Sequence, residues 1–177
     1  MSGQCFGSKV AKKVTKQAKT DALVDCISSS CPKRFLIIYG DPGLGEHNLG
    51  RLPELAAQTH KKEVEANSFS GTPTFNPAID AINVVHSTDA RAMVNEINNT
   101  SIAIGYLSYF GHSWANDKDQ CGYLFVGEED ASETNFGTDR GGRSNEIAVS
   151  ELSKASFFDD AQIRLFGCRC GFGNYSV

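Results

Sequence analysis

The chain has 177 residues, a formal net charge of −4 and a pI near 5.5, and its composition is typical of a globular domain. This length suits one domain whose core is stable without disulfides or metals. The acidic balance gives no general attraction to nucleic acid or to anionic membranes, so neither is an expected partner. With no apolar run near the roughly 18 residues of a membrane span and no signal peptide, we expect a cytoplasmic protein or one delivered into a target cell.

Residues 1–33 are predicted to form a lysine-rich extension or linker, and residues 34–177 the domain itself. Five lysines fall within the first twenty residues, and apolar residues at helical spacing predict a helix from about Ser8 to Cys26. The composition then changes at RFLIIYGDPG, a continuous apolar run closed by Asp-Pro-Gly. That pattern predicts a buried parallel strand followed by a turn.

Helix and strand patterns alternate along the rest of the domain. Helical spacing predicts one helix from Arg51 to about Ala66 and another over TDARAMVNEINN, capped by Ser87 or Thr88. Continuous apolar runs predict three further strands, over AIDAINVVHS, SIAIGYLSYFGHSW and AQIRLFGCRCGFG. This alternation predicts an α/β three-layer sandwich, in which a mainly parallel sheet is flanked by helices and ligands bind beyond the carboxyl ends of the strands.

Smaller elements are predicted between the third strand and the last. CGYLFVGEE has the pattern of a short strand, and EDASETNFGTDRGGRSN that of a flexible surface loop. NEIAVSELSKASFF is predicted to be a helix, with Ser144 or Asn145 as its cap.

The third strand ends on YFGHSW, residues 109–114, and GHSWA differs only in its last residue from the G-x-S-x-G motif of some hydrolases. In that motif Ser113 would be a nucleophile on a strand-to-helix turn, activated by a histidine later in the chain. No histidine follows Ser113 in this sequence. A serine hydrolase is therefore the weaker alternative.

A second cluster, FGCRCG, ends the last predicted strand. Its Cys168 lies 56 residues after His112, and both residues follow long apolar strands. A cysteine nucleophile needs a neighbouring base to raise its thiolate fraction, and a histidine at an adjacent strand end can act as that base. The caspase signature has a similar spacing, with the histidine about 50 residues before the cysteine.

This order of an apolar strand ending in His112, a hairpin, a loop, a helix and AQIRLFGC resembles the caspase-like cysteine peptidases. The group includes caspases, metacaspases, separase, gingipains, clostripain and bacterial CHAT-type proteases. GCRCG is similar to the A-C-x-x-G form of bacterial members, and the resemblance extends over roughly residues 34–173. It implies a caspase-like fold with Cys168 as the nucleophile and His112 as the general acid and base. It also implies an oxyanion hole made by the backbone N–H groups of Ser113 and Cys168.

The resemblance leaves cleavage specificity open. Phe166 occupies the place of the glutamine that caspases use in their aspartate pocket, and of the aspartate that metacaspases use for basic residues. Asp41, at the end of the first strand, is the other expected pocket residue and would favour Arg or Lys, although a turn-forming Asp-Pro-Gly also explains it. Cys170 shares a side of the extended strand with Cys168 and is the alternative nucleophile.

The sequence therefore predicts a cysteine endopeptidase that cleaves peptide bonds by Cys/His acyl transfer, either a bacterial effector or a processed protease module. Its expected partners are a protein or peptide substrate and, in a larger polyprotein, the segments upstream or downstream. No metal or cofactor is expected, and the six cysteines are predicted to be reduced thiols. The alternatives are a non-catalytic caspase-like binding module and a serine hydrolase that uses Ser113.

Overall fold

The computed structural model describes residues 31–43, 48–99, 101–116, 121–127, 135–137 and 146–167. The predicted helix from Ser8 to Cys26 lies outside these residues, as do Cys168 and Cys170. In chain order the described elements are β1 (Arg34–Tyr39), α1 (Leu52–Glu65), β2 (Ala81–His86), α2 (Ala90–Asn98), β3 (Ile104–Phe110), β4 (His112–Asn116), β5 (Cys121–Phe125), β6 (Asn135–Gly137), β7 (Glu146–Ala148), two 3-10 turns (Val149–Glu151 and Lys154–Ser156) and β8 (Phe157–Phe166).

Four parallel strands form the main sheet in the order β2-β1-β3-β8. The alternation of side chains along a strand sends Phe35 and Ile37 of β1 to one face, where they pack near α1. Leu36 and Ile38 point to the other face and pack against α2. All four side chains are almost fully buried, as expected for a parallel strand covered on both faces. The predicted α/β fold with a mainly parallel sheet between two layers is confirmed.

A smaller sheet, in the order β4-β5-β6-β7, adds to the α2 layer. The β4–β5 and β5–β6 pairs are antiparallel, whereas β6–β7 is parallel. Leu124, Phe136 and Ile147 of this sheet are buried in the same cluster as the apolar side of α2. The chain thus leaves the main sheet after Phe110 and enters the small sheet at His112, where the sequence predicted one continuous strand.

The predicted helix over NEIAVSELSKASFF is wrong. Its first residues form β7, two 3-10 turns follow, and the last two residues begin β8. The physical reason is tertiary: Ile147 is 2% exposed in the α2-side cluster, and β7 pairs with β6, so long-range burial overrides the local helical pattern. The predicted surface loop likewise contains a strand, β6.

The last strand, β8, is predicted as a buried strand but lies at the edge of the described sheet. It begins at Phe157, and Gln162 and Ile163 on it are exposed. Its pairing with β3 is irregular near Gly105, since Ile104 aligns with Phe157 whereas Tyr106 aligns with Gln162. Beyond this irregularity the register is continuous to the strand ends.

Both predicted helices after β1 exist, with α1 within one residue of its predicted bounds. The predicted cap of α2 is wrong, because Asp89 rather than Ser87 or Thr88 occupies the N-cap position. The Asp89 carboxylate accepts a hydrogen bond from the Ala92 N–H at 2.6 Å, which satisfies an otherwise unpaired donor of the first turn. The Ser87 hydroxyl instead donates to the backbone carbonyl of Asp89 at 2.9 Å.

Two further findings bear on the class of protein. Cys31, immediately before the domain, takes part in a disulfide, so the prediction of a reduced thiol is wrong for this residue. Thiol pairing depends on which sulfur atoms the fold brings together, and residue spacing alone does not encode that. Neither of the two helices in the described part of the chain has the length and apolar character needed to cross a membrane.

Candidate functional site

The strand order predicts a ligand-binding crevice at the carboxyl ends of β1 and β3. The connection after β1 runs to the α1 face, whereas the chain after β3 enters the small sheet on the α2 face. Ligands of α/β proteins bind where the connections of adjacent parallel strands diverge in this way. Here two hydrogen bonds cross that opening: the Gly40 N–H donates to the Phe110 carbonyl, and the Asp41 N–H donates to the Val126 carbonyl, both at 3.0 Å. The residues at this opening are Gly40, Asp41 and Pro42 after β1, and Gly111, His112 and Ser113 after β3.

His112 is held across this crevice by a backbone group of the β1 loop. Its Nε2 lies 3.0 Å from the carbonyl oxygen of Pro42. A carbonyl can only accept, so Nε2 carries the hydrogen and donates it, and in the neutral ring Nδ1 is the basic nitrogen. The half-buried imidazole therefore has a fixed tautomer, with an orienting partner of the kind that catalytic histidines use.

Tyr109 braces the strand end that carries His112. Its buried hydroxyl donates to the backbone carbonyl of Phe125 at 2.5 Å, and Phe125 is the β5 residue paired with His112. A Cβ at Gly40 would lie 2.5 Å from the Tyr109 hydroxyl oxygen, and one at Gly111 would come as close. Both strand ends therefore need glycine to leave room for the tyrosine.

The end of β8 meets the end of β3 at the same edge. The register aligns Phe166 with Phe110, and the Gly111 N–H donates to the Phe166 carbonyl at 3.2 Å. A Cβ at Gly167 would lie 2.8 Å from both the Gly111 carbonyl oxygen and the Ser113 hydroxyl oxygen. Any larger residue at this position would displace the β3–β4 junction. The first two residues of FGCRCG, Phe166 and Gly167, thus lie against the β3–β4 junction, and Cys168 itself is outside the described residues.

Ser113 does not occupy the setting that a serine nucleophile of the G-x-S-x-G type requires. It lies within strand β4, aligned with Leu124 of β5, and its side chain is buried at 8% exposure. The motif instead needs a sharp strand-to-helix turn that exposes the hydroxyl.

Asp41 is engaged by a histidine that ends the neighbouring strand. Its Oδ1 lies 2.8 Å from Nε2 of His86, and the Asp41 side chain is only 16% exposed. The Tyr39 ring stacks on the His86 imidazole, with ring centres 4.8 Å apart. A cavity of about 300 Å³ opens beside this pair; it is lined by Tyr39, Gly40, Pro42, Gly50, Arg51, Pro53, Glu54 and His86.

Phe166, the other predicted pocket residue, faces the α1 layer. Its ring stacks face to face on that of Phe110, with centres 4.5 Å apart and an angle of 5° between the ring planes. Asp41 thus follows β1 and Phe166 ends β8, and β3 lies between these two strands.

Three groups that shape this site were not predicted from the sequence. The Pro42 carbonyl accepts from His112, the Tyr109 hydroxyl donates to a backbone carbonyl, and Gly167 leaves room for Gly111 and Ser113. For Gly167 a signal was available, since a glycine directly precedes both His112 and Cys168 in the sequence.

Comparisons of the chain with protein-family models, with curated proteins and with solved structures found no match.

Proposed function

We propose that the chain is a cysteine endopeptidase in which Cys168 is the nucleophile and His112 the general acid and base. The observation that carries the proposal is the His112 ring, held by the Pro42 carbonyl at the sheet edge where the strand leading to Cys168 ends. A positioned imidazole beside a strand-end cysteine is the arrangement that acyl transfer through a thiolate requires.

The reaction has two steps, acylation of the cysteine and hydrolysis of the thioester, and His112 transfers protons in both. Nδ1 of His112 takes the thiol proton of Cys168, and the thiolate adds to the carbonyl carbon of the scissile peptide bond. His112 then returns the proton to the amide nitrogen, the C–N bond breaks, and the amine leaves behind a thioester. Water, deprotonated by His112, attacks the thioester, which releases the carboxylic acid and restores the thiol.

The contact with Pro42 supports this role of His112. When the ring becomes an imidazolium, its Nε2–H bond to the carbonyl strengthens, because one partner is then charged. The same bond leaves Nδ1 as the atom that exchanges protons. A backbone carbonyl thus serves as the orienting third group, which in other nucleophile and base pairs is a carboxylate or an amide.

The close packing of Gly167 on Ser113 supports the remaining assignment. Cys168 follows Gly167 directly, and Ser113 follows His112 directly, so the backbone N–H groups proposed for the oxyanion hole come from neighbouring strand ends. Two N–H donors aimed at a developing oxyanion contribute roughly 2.7–4 kcal/mol each in known acyl-transfer enzymes.

The proposal is tested by comparing thiol reactivity along the chain. The reduced protein is treated with iodoacetamide at pH 7, and the labelling rate of each cysteine is read by peptide mass mapping. We expect Cys168 to react at least about tenfold faster than Cys5 or Cys26, and His112→Ala to remove that difference, because a lowered thiol pKa needs the nearby imidazole.

Matched variants separate catalysis from folding. Cys168→Ala should abolish cleavage of peptides by the purified protein, whereas Cys170→Ala should retain it. If Cys168 is labelled no faster than the other cysteines and cleavage survives Cys168→Ala, the proposed function is wrong.

The second candidate is a non-catalytic module of the same fold that binds a polypeptide. The observation in its favour is an apolar groove beside α1, which includes the exposed side chains of Leu52 and Leu55 and the ring of Phe166. A polypeptide can occupy such a groove without being cleaved. An unreactive Cys168 together with retained peptide binding would favour this candidate.

A further inference from the structure

Among the described residues, α1 covers only part of one face of the main sheet. α1 packs on β1, β2 and β3, and beside it the stacked rings of Phe110 and Phe166 lie at the base of a groove of about 430 Å³. The groove is lined by Leu52, Leu55, Ala56, Thr59, His60, Glu63, Phe69, Phe110 and Phe166.

The lining is apolar and partly open to solvent. Leu52 and Leu55 of α1 are 62% and 50% exposed. The rings of Phe69, Phe110 and Phe166 surround that of His60, with ring centres 4.5, 5.4 and 5.4 Å away. Exposed apolar surface of this kind, bordered by aromatic rings, is typical of a binding site.

His60 is the one imidazole in the lining, and it is directed into the protein. It is 3% exposed, its Nε2 and the Tyr106 hydroxyl share a hydrogen bond of 2.8 Å, and its Nδ1 lies 3.5 Å from a carboxylate oxygen of Glu63. Burial lowers the pKa of His60, so the ring is neutral near pH 7. The floor of the groove is therefore aromatic and uncharged.

The groove and the candidate catalytic edge share the ends of two strands. Phe110 and Phe166 are the last residues of β3 and β8, and each stands two residues before a candidate catalytic residue, His112 or Cys168. α1 begins at the same edge, because it follows β1 and returns antiparallel to it. A polypeptide bound at this edge therefore lies near the two phenylalanine rings at the base of the groove.

We propose that this groove binds a large apolar side chain of the polypeptide substrate, such as leucine or phenylalanine, next to the scissile bond. The inference rests on the proposed function, since it is the peptidase site that places a polypeptide at this edge. The proposal therefore predicts that substrates with aspartate or arginine at this position are disfavoured.

Charge disfavours the other substrates. An aspartate side chain would lose its hydration against three phenylalanine rings and meet Glu63, the carboxylate of the lining. An arginine is disfavoured because the Glu63 carboxylate is already beside His60. It would also be repelled by Arg164, whose guanidinium lies over the Phe69 ring at the border of the groove and donates to the Gly71 carbonyl at 2.7 Å. Burial of a leucine or phenylalanine side chain, in contrast, improves affinity by about tenfold or more.

The test measures binding separately from cleavage. Cys168→Ala protein is titrated with pentapeptides of sequence Ala-Ala-X-Ala-Ala, in which X is Phe, Leu, Asp or Arg, and Kd is read from NMR shift changes. We expect the Phe and Leu peptides to bind at least about tenfold more tightly than the Asp and Arg peptides.

A charge placed in the groove should remove that preference. Leu55→Glu introduces a carboxylate at an exposed groove position and should weaken binding of the Phe peptide about tenfold. Gln58→Glu adds the same charge on an exposed part of α1 outside the groove and should leave Kd unchanged. Both positions are exposed, and equal melting temperatures of the two variants show that folding is preserved.

The outcomes distinguish this inference from the proposed function. If the Phe and Leu peptides bind no more tightly than the charged ones, or if Leu55→Glu has no more effect than Gln58→Glu, the inference is overturned, whatever the reactivity of Cys168. Cleavage by the wild type next to Asp or Arg also overturns it and leaves the peptidase proposal standing. Apolar preference with an unreactive Cys168 supports the groove and removes the peptidase.

Discussion

The two faces of the main sheet use their apolar residues differently. On the α2 face, the helix and the small sheet together enclose one continuous cluster, in which Leu36, Ile97 and Leu124 are at most 2% exposed. On the α1 face, two smaller clusters form under the helix, and the rings of Phe110 and Phe166 border an open groove. The sealed face is expected to carry most of the stability, which leaves the open face able to keep apolar surface for binding.

The largest expected difference between the two faces is in the free energy of unfolding lost when a leucine is replaced by alanine. Leu36→Ala opens a cavity in the sealed cluster and should lower the free energy of unfolding by about 2–5 kcal/mol. Leu55→Ala, at a half-exposed groove position, should lower it by less than about 1 kcal/mol, because little buried area is lost. Denaturant unfolding of both variants checks the difference. Equal losses would show that the open face is as much a part of the core as the sealed one.

A second pair of variants removes one buried hydroxyl from each face. Tyr109→Phe leaves the Phe125 carbonyl without its donor and should cost about 1–3 kcal/mol of unfolding free energy. It should also slow the proposed peptide cleavage, because it loosens the β4–β5 pair that carries His112. Tyr106→Phe removes the hydrogen bond to His60 at a similar stability cost but should leave the cleavage rate largely unchanged. Chemical denaturation and kcat of each variant are the measurements; a larger kcat loss in Tyr106→Phe would contradict this assignment.

Acid should weaken the α1 face through His60. Burial holds the folded pKa of His60 below its ordinary value of 6.5, so the unfolded chain binds the proton first as the pH falls. The stability that the neutral ring contributes is present above about pH 6.5 and is lost as the pH falls from there through the folded pKa. The melting temperature should therefore drop more between pH 7.5 and 5 in the wild type than in His60→Gln, which cannot titrate. Parallel profiles would show that another group causes the acid sensitivity.

The smallest expected difference concerns the helix that covers each face. Asp89→Ala removes the side-chain cap of α2 and should cost about 1 kcal/mol of unfolding free energy. Arg51 stands at the N-cap of α1 without a side-chain cap bond, so Arg51→Ala should leave the stability nearly unchanged. Thermal melts of the two variants make this comparison, and a larger loss in Arg51→Ala would reverse it.

The parts of the fold that the sequence predicted are those whose apolar runs are long and locally consistent. The strand at RFLIIY and the helix from Arg51 to Ala66 are correct because periodicity and burial coincide there. The helix predicted after residue 145 is wrong because Ile147 is buried in a cluster with α2 and the small sheet, and a local helical pattern does not encode such tertiary contacts. Asp89 was missed as a cap because three neighbouring residues have side chains that can cap, and the backbone conformation selects among them.

The sequence names only side chains of the candidate site. His112 stands out because it follows a strongly apolar run. The carbonyl that orients it belongs to Pro42, 70 residues earlier, and a backbone acceptor has no residue-type signature. The groove was also not predicted, since it arises where α1 stops covering the sheet, and that depends on packing rather than on any local motif.

The position of β8 has a consequence for how the protein behaves at high concentration. Within the described part of the chain, this strand pairs only with β3, so its outer row of backbone donors and acceptors faces outward. Such an edge is a template for pairing between molecules. Here the first half of the strand departs from regular register and exposes Asp159 and Asp160, and Arg164 follows in the second half. Irregular pairing and charged side chains on an edge both oppose sheet extension, so we expect this strand to limit aggregation, whereas its far end lies beside the junction that carries His112.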